Sequence, residues 1–240
     1  MCRRRAVILI VLGLALLASG VARADQPAMP VSEDEVLRGD PNLASMALVF
    51  NVGAGFEPAT GMLDTLAERQ LRATFFVMGW WAERHPDLLR QIADGGHEIA
   101  SHGHSIFDLT QATDDQVRAD LESADRAISA VTGRSTRPLW SPSAGYRNAR
   151  VRALAASLGY RPILWTVDSA DWTLEATPES VYSHVTNGAQ NGAIVVLHFD
   201  SSTTRASTAE VLPAIIDTLR TTGYRLVTIT ELLTTSSAAS

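Results

Sequence analysis

A chain of 240 residues, 46% hydrophobic and 19% charged, is long enough for one large core and has a globular composition. All 20 basic residues are arginine, which excludes lysine nucleophiles and Schiff bases, and a single cysteine excludes an intramolecular disulfide framework. The formal charge of −6 disfavours nucleic acid and anionic membrane as partners.

Residues 1–24 predict a secretory signal peptide. Arg3, Arg4 and Arg5 form a basic start, 6–17 is an apolar run too short to span a bilayer comfortably, and Ala22-Arg23-Ala24 supplies a small-x-small cleavage site. Cleavage removes Cys2 and four of the 20 arginines but none of the 26 acids, so the remaining chain would carry −10 and no thiol. Such a protein is secreted or periplasmic, without stable membrane insertion. Residues 25–45, polar with Pro27, Pro30 and Pro41, predict a linker.

Residues 46–233 predict one α/β domain. Short apolar runs at 46–50, 73–77, 98–100, 138–140, 162–167, 193–197 and 225–227 predict buried strands. Amphipathic stretches at 61–70, 86–94, 114–132, 148–158 and 208–222 predict helices, with Val117, Leu121, Ala124, Ile128 and Val131 at helical spacing in the third. Glycines 133, 159 and 223 end helices, and Asp114 and Asn148 begin them. About seven parallel strands alternating with helices predict a single distorted (β/α) barrel. Residues 234–240, small and polar, predict a flexible tail.

In a parallel barrel the site lies at the carboxyl ends of the strands. Here those positions are Asn51-Val52, Gly79-Trp80-Trp81, Ser101-His102, Ser141-Pro142, Asp168 to Trp172, and His198. The segment 96–106 concentrates His97, His102 and His104, and then places Ile106 one helical turn beyond His102.

These residues carry a resemblance. The chain resembles the polysaccharide deacetylases of the NodB homology type, carbohydrate esterase family 4, over nearly all of 46–233. Ala73-Thr74-Phe75-Phe76-Val77-Met78-Gly79 and Gly96-His97-Glu98-Ile99-Ala100-Ser101-His102 are similar to the family's second strand and histidine motif. Asp168-Ser169-Ala170-Asp171-Trp172 resembles its Asp-Trp motif, Gly192 to His198 its last motif, and Gly223-Tyr224-Arg225-Leu226-Val227 its closing strand. The resemblance implies a distorted barrel and a divalent ion, usually zinc, held by Asp-His-His. It also implies a second Asp as base on a metal-bound water and a His that protonates the leaving amine.

Carried over residue by residue, that set is broken. The family's Thr-Phe-Asp-Asp-Gly is Val49-Phe50-Asn51-Val52-Gly53, so Asn51 stands at the base position and Val52 at a metal ligand. His102 keeps the first metal histidine, Ile106 replaces the second, and Ser141 replaces an Arg that orients the base. His198 and Asp171 survive as the leaving-group acid and the partner of the lost Arg. By the same resemblance Trp172, Ile194 and Val196 form the apolar wall around an acetyl methyl.

With one ligand retained, no metal is expected; zinc returns only if His104, Glu57 or Asp200 rebuild a site. His97 predicts a hydrogen-bonded structural histidine, and His104 a polar loop residue. Trp80, Trp140 and Trp172 are expected to line a groove, stacking on sugar rings, while Trp81 and Trp165 pack core. Gly53-Ala54-Gly55 predicts a tight loop rather than a phosphate cradle. Two readings follow. One is an exported, catalytically degenerate protein that binds an N-acetylated glycan such as a cell-wall polysaccharide. The other is an active hydrolase of non-peptide carbon–nitrogen or ester bonds, with a rebuilt or metal-independent site that uses His198 and Asp171. The oligomeric state is left open.

Overall fold

The computed structural model describes residues 32–234. The signal peptide expected at 1–24 and the tail after Thr234 lie outside the described residues.

Eight strands, all parallel, form one sheet: β1 (Ser45–Val52), β2 (Thr74–Val77), β3 (Glu98–Ser101), β4 (Leu139–Trp140), β5 (Arg161–Pro162), β6 (Val167–Asp168), β7 (Ile194–His198) and β8 (Arg225–Leu226). The order β5-β4-β3-β2-β1-β7-β6 curls into an incomplete barrel, and β8 pairs with the amino end of β1 below β2. The helices are α1 (Gly61–Glu68), α2 (Gly79–Arg84), α3 (Pro86–Asp94), α4 (Asp114–Thr132), α5 (Ala149–Ser157), α6 (Pro178–Asn187), α7 (Thr208–Thr221) and α8 (Ile229–Thr234).

The alternation along β1 sorts the core. Met46, Leu48, Phe50 and Val52 face the helical layer, where they join Phe75, Leu197 and the apolar stripes of α1, α6 and α7. Ala47 and Val49 face the barrel interior with Phe76, Ala100, Ile194 and Val196. A third cluster packs α4 and α5 over β4 through Val117, Leu121, Val151, Leu154 and Trp140. Helix α4 starts on a reciprocal capping box between Thr113 and Gln116 and stops at Gly133, whose φ of 70° an L side chain rarely adopts.

The structure departs from the predicted elements in three places. The run 162–167 is two strands: Ile163 still donates to Trp140 on β4 while Val36 bridges its other edge, and Thr166 then pairs at Ile194 beside β7. Helices α2, α6 and α8 fall outside the predicted stretches; Thr177 caps α6 with Pro178 in its first turn, and Val181 and Val185 form its buried face. The segment expected as a linker is, from Val36 onward, part of the fold. The Val36 amide donates to the Pro162 carbonyl at 2.9 Å, and Gly39 to Gly192 at 2.7 Å, so this segment spans the gap between β5 and β7.

Candidate functional site

At the carboxyl ends of the strands lies a cleft of about 510 Å³. Asn51, Val52, His102, Ile106, Trp172, Val196 and His198 all border it, so most of the positions marked from sequence meet at one place. Asn51 and His198 are register partners on β1 and β7, which sets their side chains next to each other on the inward face.

Buried carboxylates hold two of the loops around the mouth. After β1, Gly53 has φ of 127° and lies so close to Met78 that a Cβ would fall 2.6 Å from its Cγ. The amides of Gly53, Ala54 and Gly55 then donate to Asp200 at 2.9, 3.1 and 3.1 Å. The tight-loop expectation fits this arrangement. After β3, Asp120 on α4 accepts from the amides of His104 and Ser105 at 2.9 and 3.0 Å.

His198 and Asp171 form a preorganised pair. The His198 Nδ1–H donates to Asp171 Oδ1 at 2.7 Å, and the His198 amide donates to Oδ2 at 2.9 Å. The Thr208 hydroxyl also donates to Oδ2, at 2.6 Å, and Asp171 is fully buried. Burial works against a charged His198 ring, but the hydrogen bond and charge of Asp171, with Asp168 and Asp200 beyond, outweigh it and raise its pKa. Its Nε2 is the ring nitrogen left for a ligand.

His102 is oriented in the opposite sense. Its Nδ1 donates to the Ser141 carbonyl at 2.8 Å, which fixes Nε2 as an acceptor. Burial pushes its pKa down to about 4, against the Ser141 bond and with the neighbouring His198 charge adding, so the ring is neutral at physiological pH. Asn51, 5% exposed, presents a buried Oδ1 that has no hydrogen-bond partner among the described residues. An unpaired buried acceptor costs free energy, and a ligand donor would recover it.

The residues present do not fit the divalent ion that the resemblance implies. Val52 and Ile106 have no donor atoms, and among the described residues no group of three or more His, Cys, Asp or Glu is placed to hold a metal. The three residues that might have rebuilt a site do not converge. Asp200 is committed to the loop amides, Glu57 is exposed outside the cleft, and His104 packs beside Gly79 with its Nδ1 buried and unpartnered.

Several expected groove residues lie elsewhere. Trp140 is fully buried, because Leu139 takes the inward face of the two-residue β4 and leaves Trp140 against α4 and α5. Trp80 sits on α2 against the outer core, its Nε1–H donating to Met78 Sδ at 3.2 Å. Ile194 shares the face of Val196 and His198 but lies below the cleft, fully buried. Trp165 is the reverse case: expected in the core, it borders the cleft. Ser141 acts through its carbonyl and does not border the cleft. Trp81 packs in the core against His85, and His97 accepts from the Ala73 amide at the far end of β3, both as expected.

Phe56 and Tyr146 had not been singled out. Extending the strand-end search to six residues past β1 and β4 would have reached both. Seven large apolar side chains are exposed among the described residues, and four of them, Phe56, Ile106, Tyr146 and Trp172, ring this cleft. That clustering marks it as a ligand surface. Among the described residues, no helix is long and apolar enough to cross a membrane.

A polysaccharide deacetylase family profile matches residues 38–163. A peptidoglycan-N-acetylglucosamine deacetylase of Bacillus cereus is 32% identical over 190 residues, 78% of this chain and 87% of that protein. The uncharacterized protein YlxY of Bacillus subtilis is 32% identical over 83% of this chain, which spans only 60% of YlxY. Among solved structures, a carbohydrate esterase family 4 pseudoenzyme from Bacillus anthracis matches with a TM-score of 0.77 at 29% identity, over 84% of this chain and 69% of its own. A mutant of that pseudoenzyme with restored enzymatic activity matches with the same TM-score, 0.77.

Proposed function

The chain belongs to the polysaccharide deacetylase family, and within it we propose that it is a glycan-binding member that does not hydrolyse acetamides. Its place is the cell envelope or its surroundings, reached through the signal peptide, and its ligand a hexosamine polymer such as the wall polysaccharide on which the Bacillus cereus relative acts by name. No resident metal is proposed.

The observation that carries this reading is the floor of the cleft. Asn51 stands where a base is needed, its acceptor unpartnered, between Val52 and the imidazoles of His102 and His198. An amide oxygen has no useful basicity at neutral pH, so Asn51 orients a ligand without taking its proton. The aromatic rim of Trp172, Tyr146 and Phe56 suits the flat apolar faces of sugar rings.

The second reading, an active hydrolase, is favoured by one specific feature. The 2.7 Å bond from His198 to Asp171 holds the ring in the tautomer that leaves Nε2 able to accept a proton. That is a general base in search of a nucleophile, and no hydroxyl is hydrogen-bonded to it.

Metal analysis, acetate release and binding, all measured with chitooligosaccharides on the purified protein, decide between them. Expected are substoichiometric zinc, no acetate, and binding that weakens about tenfold in Trp172→Ala, in line with the loss of one stacked ring. Turnover without metal establishes the hydrolase instead; stoichiometric zinc overturns both.

A further inference from the structure

We propose that the cleft selects a hexosamine whose amine is free over its N-acetylated form. This rests on the glycan-binding reading and names the sugar unit that the site takes.

Three observations carry it. First, acceptors stand at the floor, beside the Asn51 amide nitrogen. Asn51 Oδ1 is buried without a partner, and His102 Nε2 is an acceptor because Nδ1–H is committed to the Ser141 carbonyl at 2.8 Å. An ammonium brings three donors to such a floor, whereas an acetamide brings one N–H and a carbonyl oxygen that needs a donor in return. Among the described residues, the side-chain donors bordering the cleft include His198, Asn51 Nδ2, Tyr146 and three serine hydroxyls, and of these only His198 carries positive charge when protonated.

Second, the charge around the floor is negative. Asp168 borders the cleft, and Asp171 and Asp200 lie behind it, all three near enough to act on the His198 ring. Against them stands at most the one charge of His198, since no arginine borders the cleft and the sequence has no lysine. Arg147, on the loop that carries Tyr146, pairs instead with Glu35 through Nε and Nη2 at 3.0 and 3.1 Å. The position at which the family would add a guanidinium is Ser141.

Third, the walls are aromatic. Phe56, Tyr146, Trp165 and Trp172 border the same cavity, and Trp172 Nε1–H donates to Asp168 Oδ1 at 3.3 Å, bringing an indole beside a carboxylate. Aromatic faces with a carboxylate attract an organic cation without full loss of its hydration. An apolar wall alone would serve an acetyl methyl equally well; the acceptors and the charge decide for the amine.

The test compares N-acetylated chitotetraose with its fully de-N-acetylated counterpart by calorimetry at pH 6.5 and low salt. The amine form is expected to bind about tenfold more tightly or better, the worth of one well-placed charged hydrogen bond. Asp168→Asn, which keeps the turn to the Ala170 amide, should cut that preference about threefold or more. Glu179→Gln, an exposed carboxylate on α6, controls for general attraction of a polycation to an acidic protein. Equal or reversed affinities, or an equal loss in the two variants, overturn the amine preference while glycan binding stands. No binding of either tetramer overturns the glycan reading itself, and this inference with it.

Discussion

On the β6–β7 side of the cleft, Asp171 accepts hydrogen bonds at both carboxylate oxygens and clamps His198. On the β1–β3 side, Asn51 Oδ1 has no partner, and Val52 and Ile106 have no polar atoms to offer it. The two sides face each other across one cavity, yet only the first is a closed network. A polar group whose partners all lie within the chain stabilises the fold without any ligand. Positions whose partner would be an external ion lose their reason to stay charged, since a buried carboxylate without its cation is costly. The pattern of survival thus follows what each residue contributes without a ligand.

The largest expected effect comes from making the weak side resemble its ancestor. Asn51→Asp, Val52→Asp and Ile106→His together should raise bound zinc from a trace to about one per chain, His102 being already oriented. Because Val52 is fully buried, stability should become zinc-dependent, by about 3 kcal/mol at a hundredfold excess over Kd. Melting curves that are identical with zinc and with chelator would show that these positions do not share a metal point.

Next in size is a contrast of stabilities. Asp171→Ala strips the partner from three donors at once and should cost about 3 kcal/mol in urea denaturation. Asn51→Leu removes an acceptor that has no partner and should change stability by no more than about 1 kcal/mol while abolishing ligand binding. A severe loss from Asn51→Leu would mean that the acceptor is satisfied within the fold.

The smallest effect is in pH dependence, where the two sides have opposite signs. The pKa of His102 is lowered to about 4, so between about 6.5 and 4 the unfolded chain binds the extra proton and stability falls as pH falls. His97, also lowered to about 4 by burial, adds to the same slope. The pKa of His198 is raised, so its contribution is full below about 6.5 and is lost as pH rises through its folded value. His102→Gln should flatten the acid limb by at most about 1.4 kcal/mol per pH unit, and His198→Gln the alkaline one. Denaturation midpoints across pH 4–9 check both, and a shared sign for the two variants would contradict the assignment.

Much of this was legible in the residues. The strand-end motifs placed Asn51, His102, Trp172 and His198 around one mouth because the carboxyl ends of neighbouring parallel strands open on the same side of the sheet. Trp140 was misplaced because a strand of two residues has no alternation to read; which of Leu139 and Trp140 turns inward depends on the barrel's curl and on α4 and α5. Trp165 escaped because the run 162–167 looks like one strand, whereas its first half pairs with β4 and with Val36, distant in sequence, and its second half with β7.

The sequence by itself determined the family, the parallel barrel and the apolar side chains at 52 and 106, since each depends on the presence or absence of atoms at motif positions. Only the tertiary structure decided what the survivors do. That Asp171 holds His198, that Asp200 is spent on three loop amides, and that Asn51 Oδ1 is left without a partner are matters of distance between residues far apart in the chain. Chemistry is inherited by residue type, whereas hydrogen-bond satisfaction exists only once the chain has closed around it.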